Sequence, residues 1–391
     1  MHTDLDAGVG RHSADVIDMR PVKIGLDGPA VRMRKQRARL RLASWAFTTR
    51  RVPQGAACTI LTAAGSPRAG DLVLARVDAI GLHSCLHMVN GRRRHLFGGD
   101  EIVVVYANRY ASNQFESVVP ETIGPCHLVA GGGIASRAIS WHRRIWQGPT
   151  QITPLGLVGD TEERRLNVAD FALPQVQIDA EHRPATIAVV GTSMDSGKTQ
   201  TAVHLVRGLI AAGLRVGYAK VTGTGAGGDF WWLRDAGADP VLDFTDAGMP
   251  STYLASPAEI ENVLSVLTSN ITNHGVDAMV LEIADGVLQQ ETAALLRSPL
   301  FARTAGGVLL AAQDSMSASA GANWLAREAP PLLGVSGILT AAPLQIAETV
   351  AATSLPVHDR ESLATPEVAI ALLGRAQRHL EESLGRQAGA A

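Results

Sequence analysis

Ile187-Ala188-Val189-Val190-Gly191-Thr192-Ser193-Met194-Asp195-Ser196-Gly197-Lys198-Thr199 is the stretch on which the reading of this chain turns. Its apolar opening reads as a strand buried on both faces. The residues after it, Gln200 to Ala212, read as a helix that Gly213 ends. A glycine-containing turn between such a strand and such a helix is the setting of a phosphate-binding loop. Backbone N–H groups around Ser196 to Thr199 can surround a polyphosphate, and the helix N-terminus adds partial positive charge there. Gly197 allows close backbone approach, Lys198 reaches terminal phosphates and Thr199 offers a hydroxyl to Mg²⁺. The usual spacing would put glycine at 192, where this chain has Thr192; the glycine is Gly191. The plain alternative is an ordinary strand–turn–helix with a chance Gly-Lys-Thr.

Outward from the loop, further apolar runs alternate with helical stretches: Val216–Ala219, Ala278–Ile283, Gly307–Ala312 and Gly334–Thr340. Runs without polar alternation, joined by helices, predict a mostly parallel sheet with right-handed crossovers. The expected fold class is α/β, a three-layer phosphate-loop domain over 186–391. Ligands should lie at the C-terminal ends of its strands.

Three stretches together resemble dethiobiotin synthetase. Gly191 to Thr199 is similar to that family's G-T-D-T-x-x-G-K-T loop, with the same shifted glycine. Gly213-Leu214-Arg215-Val216-Gly217-Tyr218-Ala219-Lys220 looks like its G-L-x-V-x-Y-x-K. Val280-Leu281-Glu282-Ile283-Ala284-Asp285-Gly286-Val287-Leu288 is similar to its V-x-E-G-A-G-G-L-L. The likeness covers about residues 186–360. It implies ATP (GTP not excluded) held by Gly191, Thr192, Ser193, Asp195, Ser196, Gly197, Lys198, Thr199 and Gln200. It implies Lys198 and Lys220 as catalytic cations, and Mg²⁺ on Thr199, Asp229 and Glu282. Lys220 and Glu282 could also be plain strand-end residues, and Asp229 a helix cap. The chain departs from the family at Val221, at Asp285 and in lacking an asparagine after the 334–340 run. The base and the acceptor are therefore open, and dethiobiotin formation itself is not expected.

Thr222 to Gly228 reads either as a loop over a substrate or as a plain connection. Thr224, Asp285 and Asp314 are the substrate-facing candidates. His358 falls at the same expected sheet edge, and Trp231-Trp232 read as core. No cysteine lies in this half, which excludes an attached glutaminase nucleophile.

The first 185 residues have another grammar. Residues 1–30 read as an arm, 31–148 as a smaller β-barrel or sandwich-like domain and 149–185, with Pro149, Pro154 and Pro174, as a connector. Residues 31–51 are basic, and Arg37 to Leu42 alternate polar with apolar. That predicts a strand, either an edge defended by charge or an RNA-binding edge. Asn90-Gly91 predicts a hairpin. Gly131-Gly132-Gly133 reads as a loop or a helix start near a ligand. His83, His87 and His95 lack tight ligand spacing and read as surface residues.

Composition bounds the rest. The 391 residues carry a net charge of −2, with 46% hydrophobic and 18% charged residues, so the chain is neither disordered nor polybasic. No apolar run is long enough to span a membrane. The acidic N-terminus does not read as a secretory signal. Three scattered cysteines fit a reducing, cytoplasmic setting. The expectation is a Mg²⁺- and ATP-dependent kinase or ligase acting on a small molecule, a homodimer being common among relatives. Two alternatives are a polynucleotide 5′-hydroxyl kinase using residues 31–51 and a nucleotide switch of the MinD type.

Overall fold

The structure, a computed structural model, describes residues 28–177 and 183–388. The arm expected over 1–30 lies outside the described residues as far as residue 27. The basic segment folds as helix α1 (Pro29–Leu42), not as the expected strand. Pro29 opens it, where no amide is needed. Arginine, lysine, glutamine, methionine and leucine are good helix formers. Its less exposed residues are Met33, Gln36, Arg37 and Leu40, spaced by three and four, so the alternation over 37–42 is incidental.

Eleven strands follow: β1 (Ser44–Trp45), β2 (Thr59–Leu61), β3 (Leu72–Ala79), β4 (Cys85–His87), β5 (Arg93–His95), β6 (Glu101–Tyr106), β7 (Arg109–Tyr110), β8 (Phe115–Val118), β9 (Cys126–Ala130), β10 (Ile134–Trp141) and β11 (Thr150–Gly159). Among the described residues β4 and β5 pair across the Asn90-Gly91 turn, and the other nine form one sheet. Its order is β1-β6-β3-β11-β9-β10-β8-β7, with β2 on β11. β10 also pairs with β6, so the run β6–β3–β11–β9–β10 returns to its first strand. The triple glycine is the β9–β10 turn and opens no helix. β11 occupies ten residues expected to be connector. Pro149 precedes it, and Pro154 sits where the β11–β3 register shifts, a position that tolerates a missing amide.

The second unit comprises β12 (Ala185–Gly191), α2 (Lys198–Ala211), β13 (Val216–Lys220), α3 (Gly227–Asp235), β14 (Val241–Asp243), α4 (Pro257–Asn273), β15 (Ala278–Glu282), α5 (Gln290–Leu296), α6 (Pro299–Thr304), β16 (Gly307–Ala311), α7 (Ser315–Glu328), β17 (Leu332–Ser336), α8 (Pro343–Thr353), α9 (Arg360–Leu363) and α10 (Pro366–Ala388). All six strands are parallel, in the order β14-β13-β15-β12-β16-β17. One sheet face packs on α2, α3, α9 and α10 through Val206, Leu233, Leu363 and Leu372. The other packs on α4 to α7 through Leu264, Leu295, Phe301 and Leu325. That is the expected three-layer arrangement. The last strand stops at Ser336, four residues earlier than expected, because Gly337 turns the chain into a short 3-10 segment.

The two units are joined by more than the chain. Residues 160–177 leave β11 and run onto α4: Asn270 Nδ2 donates to the Pro174 carbonyl at 2.9 Å, and the Val176 amide to Ser269 Oγ at 3.2 Å. The Leu173 amide donates to the Asp246 carbonyl at 2.8 Å. Arg50, from the N-terminal unit, is buried against Asp243 at 2.9 Å and also bonds Asp246 and Thr245. The Phe47 and Phe230 rings lie 4.2 and 4.9 Å from its guanidinium carbon.

Candidate functional site

β12 delivers the loop at the centre of the sheet, where the strand order reverses and a crevice forms. Lys198, first residue of α2, is buried and folds back so that Nζ donates to the Ser193 carbonyl at 2.8 Å. Gly191 makes room for that path. A Cβ there would overlap Ser196 Oγ and stand 2.8 Å from Lys198 Nζ. The shifted glycine therefore has a steric function at its own position. Burial pulls the Lys198 pKa below lysine's ordinary value, against the fields of Glu282 and Asp285. The hydroxyls of Thr192 and Ser196 are buried without a partner, so the loop holds donors with nothing to donate to.

Glu282 ends β15 fully buried, with Thr199 Oγ1 3.3 Å and Lys220 Nζ 3.0 Å from its Oε1 and the Tyr218 hydroxyl donating to Oε2 at 3.0 Å. Lys220, at the end of β13, is also paired with Asp229 from the first turn of α3. Burial works against its charge, but the two carboxylates outweigh burial and hold its pKa above the ordinary value. Thr199, Lys220, Asp229 and Glu282 are thus brought together, with the ammonium between the two carboxylates. Among the described residues no group of three or more His, Cys, Asp or Glu side chains is arranged to hold a metal. The hard oxygens of Thr199 and Glu282 still suit Mg²⁺, which needs one or two protein oxygens beside phosphates and water.

These residues form one wall of a cavity of about 720 Å³. Met194, Asp195, Gly197, Lys198, Thr199, Gln200, Lys220, Thr224, Asp229, Glu282 and Asp285 line it. Gly191, Thr192, Ser193 and Ser196 do not line it. Asp285 takes a left-handed backbone, φ 65°, where the resembled family has glycine, and burial raises its pKa. Asp314 is outside the lining. It caps α7, accepting from the Ser317 amide at 2.7 Å. His358 is also outside it, with Nε2 buried and unpartnered. Trp231 packs edge-on against Phe230, whereas Trp232 is 43% exposed and lines the cavity instead of the core.

The opposite wall belongs to the N-terminal unit, and sequence reading missed it. His83, His87, Arg109 and Gln114 line it. The surface reading is corrected for His83 and His87, whereas His95 is exposed. His83 is largely enclosed, and burial, then Arg109, push its pKa down to about 3. His87 accepts from the Gly227 amide through Nδ1 at 3.1 Å, joining the walls. Asn113, in the turn between β7 and β8, donates to Asp195 Oδ2 at 2.8 Å, so this hairpin stands against the tip of the phosphate loop. The signals in the sequence were the concentration of histidine between 83 and 95 and the triple glycine, of which Gly131 lines the cavity.

Strand, glycine, Gly-Lys-Thr and helix in this geometry define a P-loop domain. No protein-family model matches the chain, and no curated protein matches it. Among solved structures it is similar to the signal recognition particle 54 kDa protein from Aeropyrum pernix K1 in complex with GDP. There the identity is 19% and the TM-score 0.35, over 56% of this chain and 53% of that one. A DUF1611 family protein from Anabaena variabilis shows 17% identity and TM-score 0.35 over 58% and 65%. The cell division protein FtsY from Thermotoga maritima shows 17% and 0.31 over 54% and 79%. The chain thus spans about half of the first and just under two thirds of the second. The dethiobiotin synthetase likeness is not reproduced among these three. Among the described residues no helix is long and apolar enough to cross a membrane.

Proposed function

We propose that this chain is a Mg²⁺- and nucleotide-dependent phosphoryl-transfer enzyme acting on a small acceptor. ATP is the first nucleotide to test and GTP the second. The observation that carries the reading is the two-walled cavity: a phosphate loop and two lysines on one side, a separate polar wall on the other. A nucleotide switch needs no such second wall. The unpartnered Thr192 and Ser196 hydroxyls fit a phosphate tail. Mg²⁺ held by Thr199 and Glu282 would supply neutralisation of phosphate charge. Lys198 would exchange the Ser193 carbonyl for a phosphate oxygen, and Lys220, already fixed by two carboxylates, would meet charge that grows during transfer. The N-terminal wall would hold the acceptor and exclude water. The family likeness at Lys220 and Glu282 supports a carboxylate or carbamate acceptor, hence a ligase or kinase. For the RNA alternative, residues 31–51 offer a reduced basic face: Arg50 is buried in ion pairs and Arg39 is bonded to Glu101, while Arg32, Arg34 and Arg41 are exposed on α1.

Purified protein with Mg²⁺ and ATP or GTP, assayed for phosphate release and for a phosphorylated product against a panel of small acids and amines, tests the reading. Activity with one acceptor, abolished in Lys198→Ala, is expected. Turnover that survives Lys198→Ala sinks the assignment.

A further inference from the structure

Arg109 is a buried guanidinium, 6% exposed, at the start of β7. It donates Nη1 to His83 Nε2 at 3.0 Å and Nη2 to Gln114 Oε1 at 2.6 Å. Both partners are uncharged: arginine only donates, so His83 Nε2 accepts as the neutral ring. Its Nε has no partner, and Asp285, on the same cavity, acts on it through its field without a bond that the structure shows. A buried cation with no directly bonded counter-ion is costly to keep charged. Burial draws its pKa down to about 10, and the field of Asp285 only partly opposes this. Arg50 shows the contrast, since it is equally enclosed and has two carboxylates. Arg109 also lines the cavity facing Lys198 and Lys220, on the hairpin that Asn113 ties to Asp195. The group it lacks is therefore an anion arriving at the tip of the phosphate loop.

We propose that Arg109 binds the terminal phosphoryl group of the nucleotide, delivered across the cavity by the N-terminal unit. His83 and Gln114 are positioning residues that hold the guanidinium fork in place. The inference rests on the nucleotide reading of the loop, and the test separates the two.

Calorimetry on the full chain with Mg²⁺ would compare the diphosphates of adenine and guanine with their β,γ-imido triphosphates. The wild type should prefer the imido triphosphate of one base. In Arg109→Gln that preference should fall about tenfold, as for one lost charge-assisted hydrogen bond, with diphosphate affinity kept. Arg109→Lys should restore part of it. An unchanged preference in Arg109→Gln overturns the proposal and leaves the loop reading intact. A drop that appears only in binding of succinate or another small dicarboxylate assigns Arg109 to the acceptor and also overturns it. A wild type that binds no nucleotide overturns both readings. If melting shows Arg109→Gln unfolded, Gln114→Ala takes its place. A lowered triphosphate preference is again expected, and an unchanged one counts against the proposal.

Discussion

Lys198 curls back over its own loop because position 191 has no side chain. Gly191→Ala would put a methyl against Ser196 Oγ and Lys198 Nζ. The strand beneath is buried from Thr186 to Gly191 and pairs in register with β15 and β16, so the side chain, not the backbone, must yield. Nucleotide affinity should fall by about tenfold or more, the scale of one hydrogen bond to a charged group, with the far-UV spectrum unchanged. Wild-type affinity in this variant would refute the steric role. His83 carries a second prediction at this scale. Its folded pKa, about 3, lies below the ordinary 6.5. The unfolded chain therefore binds the extra proton between those values, and stability from this site is lost as pH falls through them. The slope reaches at most about 1.4 kcal/mol per pH unit. Urea unfolding of His83→Gln should show a shallower decline below pH 6.5 than the wild type, and parallel curves would contradict it.

Elements differ in how openly the sequence declared them. Strands β12, β13, β15 and β16 were legible because burial on both faces leaves runs such as Ile187 to Val190 with no polar break. The edge strand β14 was not, since three residues ending in Asp243 carry no such run. Helix α1 was mistaken for a strand because arginine and leucine happen to alternate over six residues. Its real stripe is spaced over Met33, Gln36 and Leu40. β11 was hidden by Pro154, which sits at a register shift and so leaves the ladder intact. Helix α4 begins with a reciprocal cap: the Glu259 amide donates to Ser256 Oγ at 3.3 Å and the Ser256 amide to Glu259 Oε2 at 2.8 Å. Ser256→Ala should destabilise the protein by about 1 kcal/mol, read as a lower urea midpoint, without altering nucleotide binding. A loss of binding instead would mean that α4, which carries the 160–177 segment, also sets the cavity.

On the scale of the whole molecule, half of the candidate site comes from a unit that no local pattern links to the phosphate loop. Lys198, Thr199 and Glu282 were visible in the sequence because the loop and strand surround them in sequence. Arg109 and Gln114 were not, because docking of two units is long-range and leaves no period. Arg50 is the clearest anchor of that docking. Arg50→Ala would leave Asp243 and Asp246 facing each other inside the protein. Removing one partner from a buried pair costs about 3–5 kcal/mol. The urea midpoint should drop accordingly, and a midpoint equal to the wild type's would show that the anchor is redundant.

Where the β9–β10 turn meets the loop after β13, Gly132 abuts the Gly225 carbonyl so closely that a single Cβ at 132 would overlap it. The seam is closed backbone against backbone, like a door resting on its stop. The clearance between the facing walls is therefore fixed by main-chain atoms, which rotamers cannot loosen. Selection among ligands by thickness would follow from that rigid gauge, and one methyl group inserted at the seam would serve as a shim.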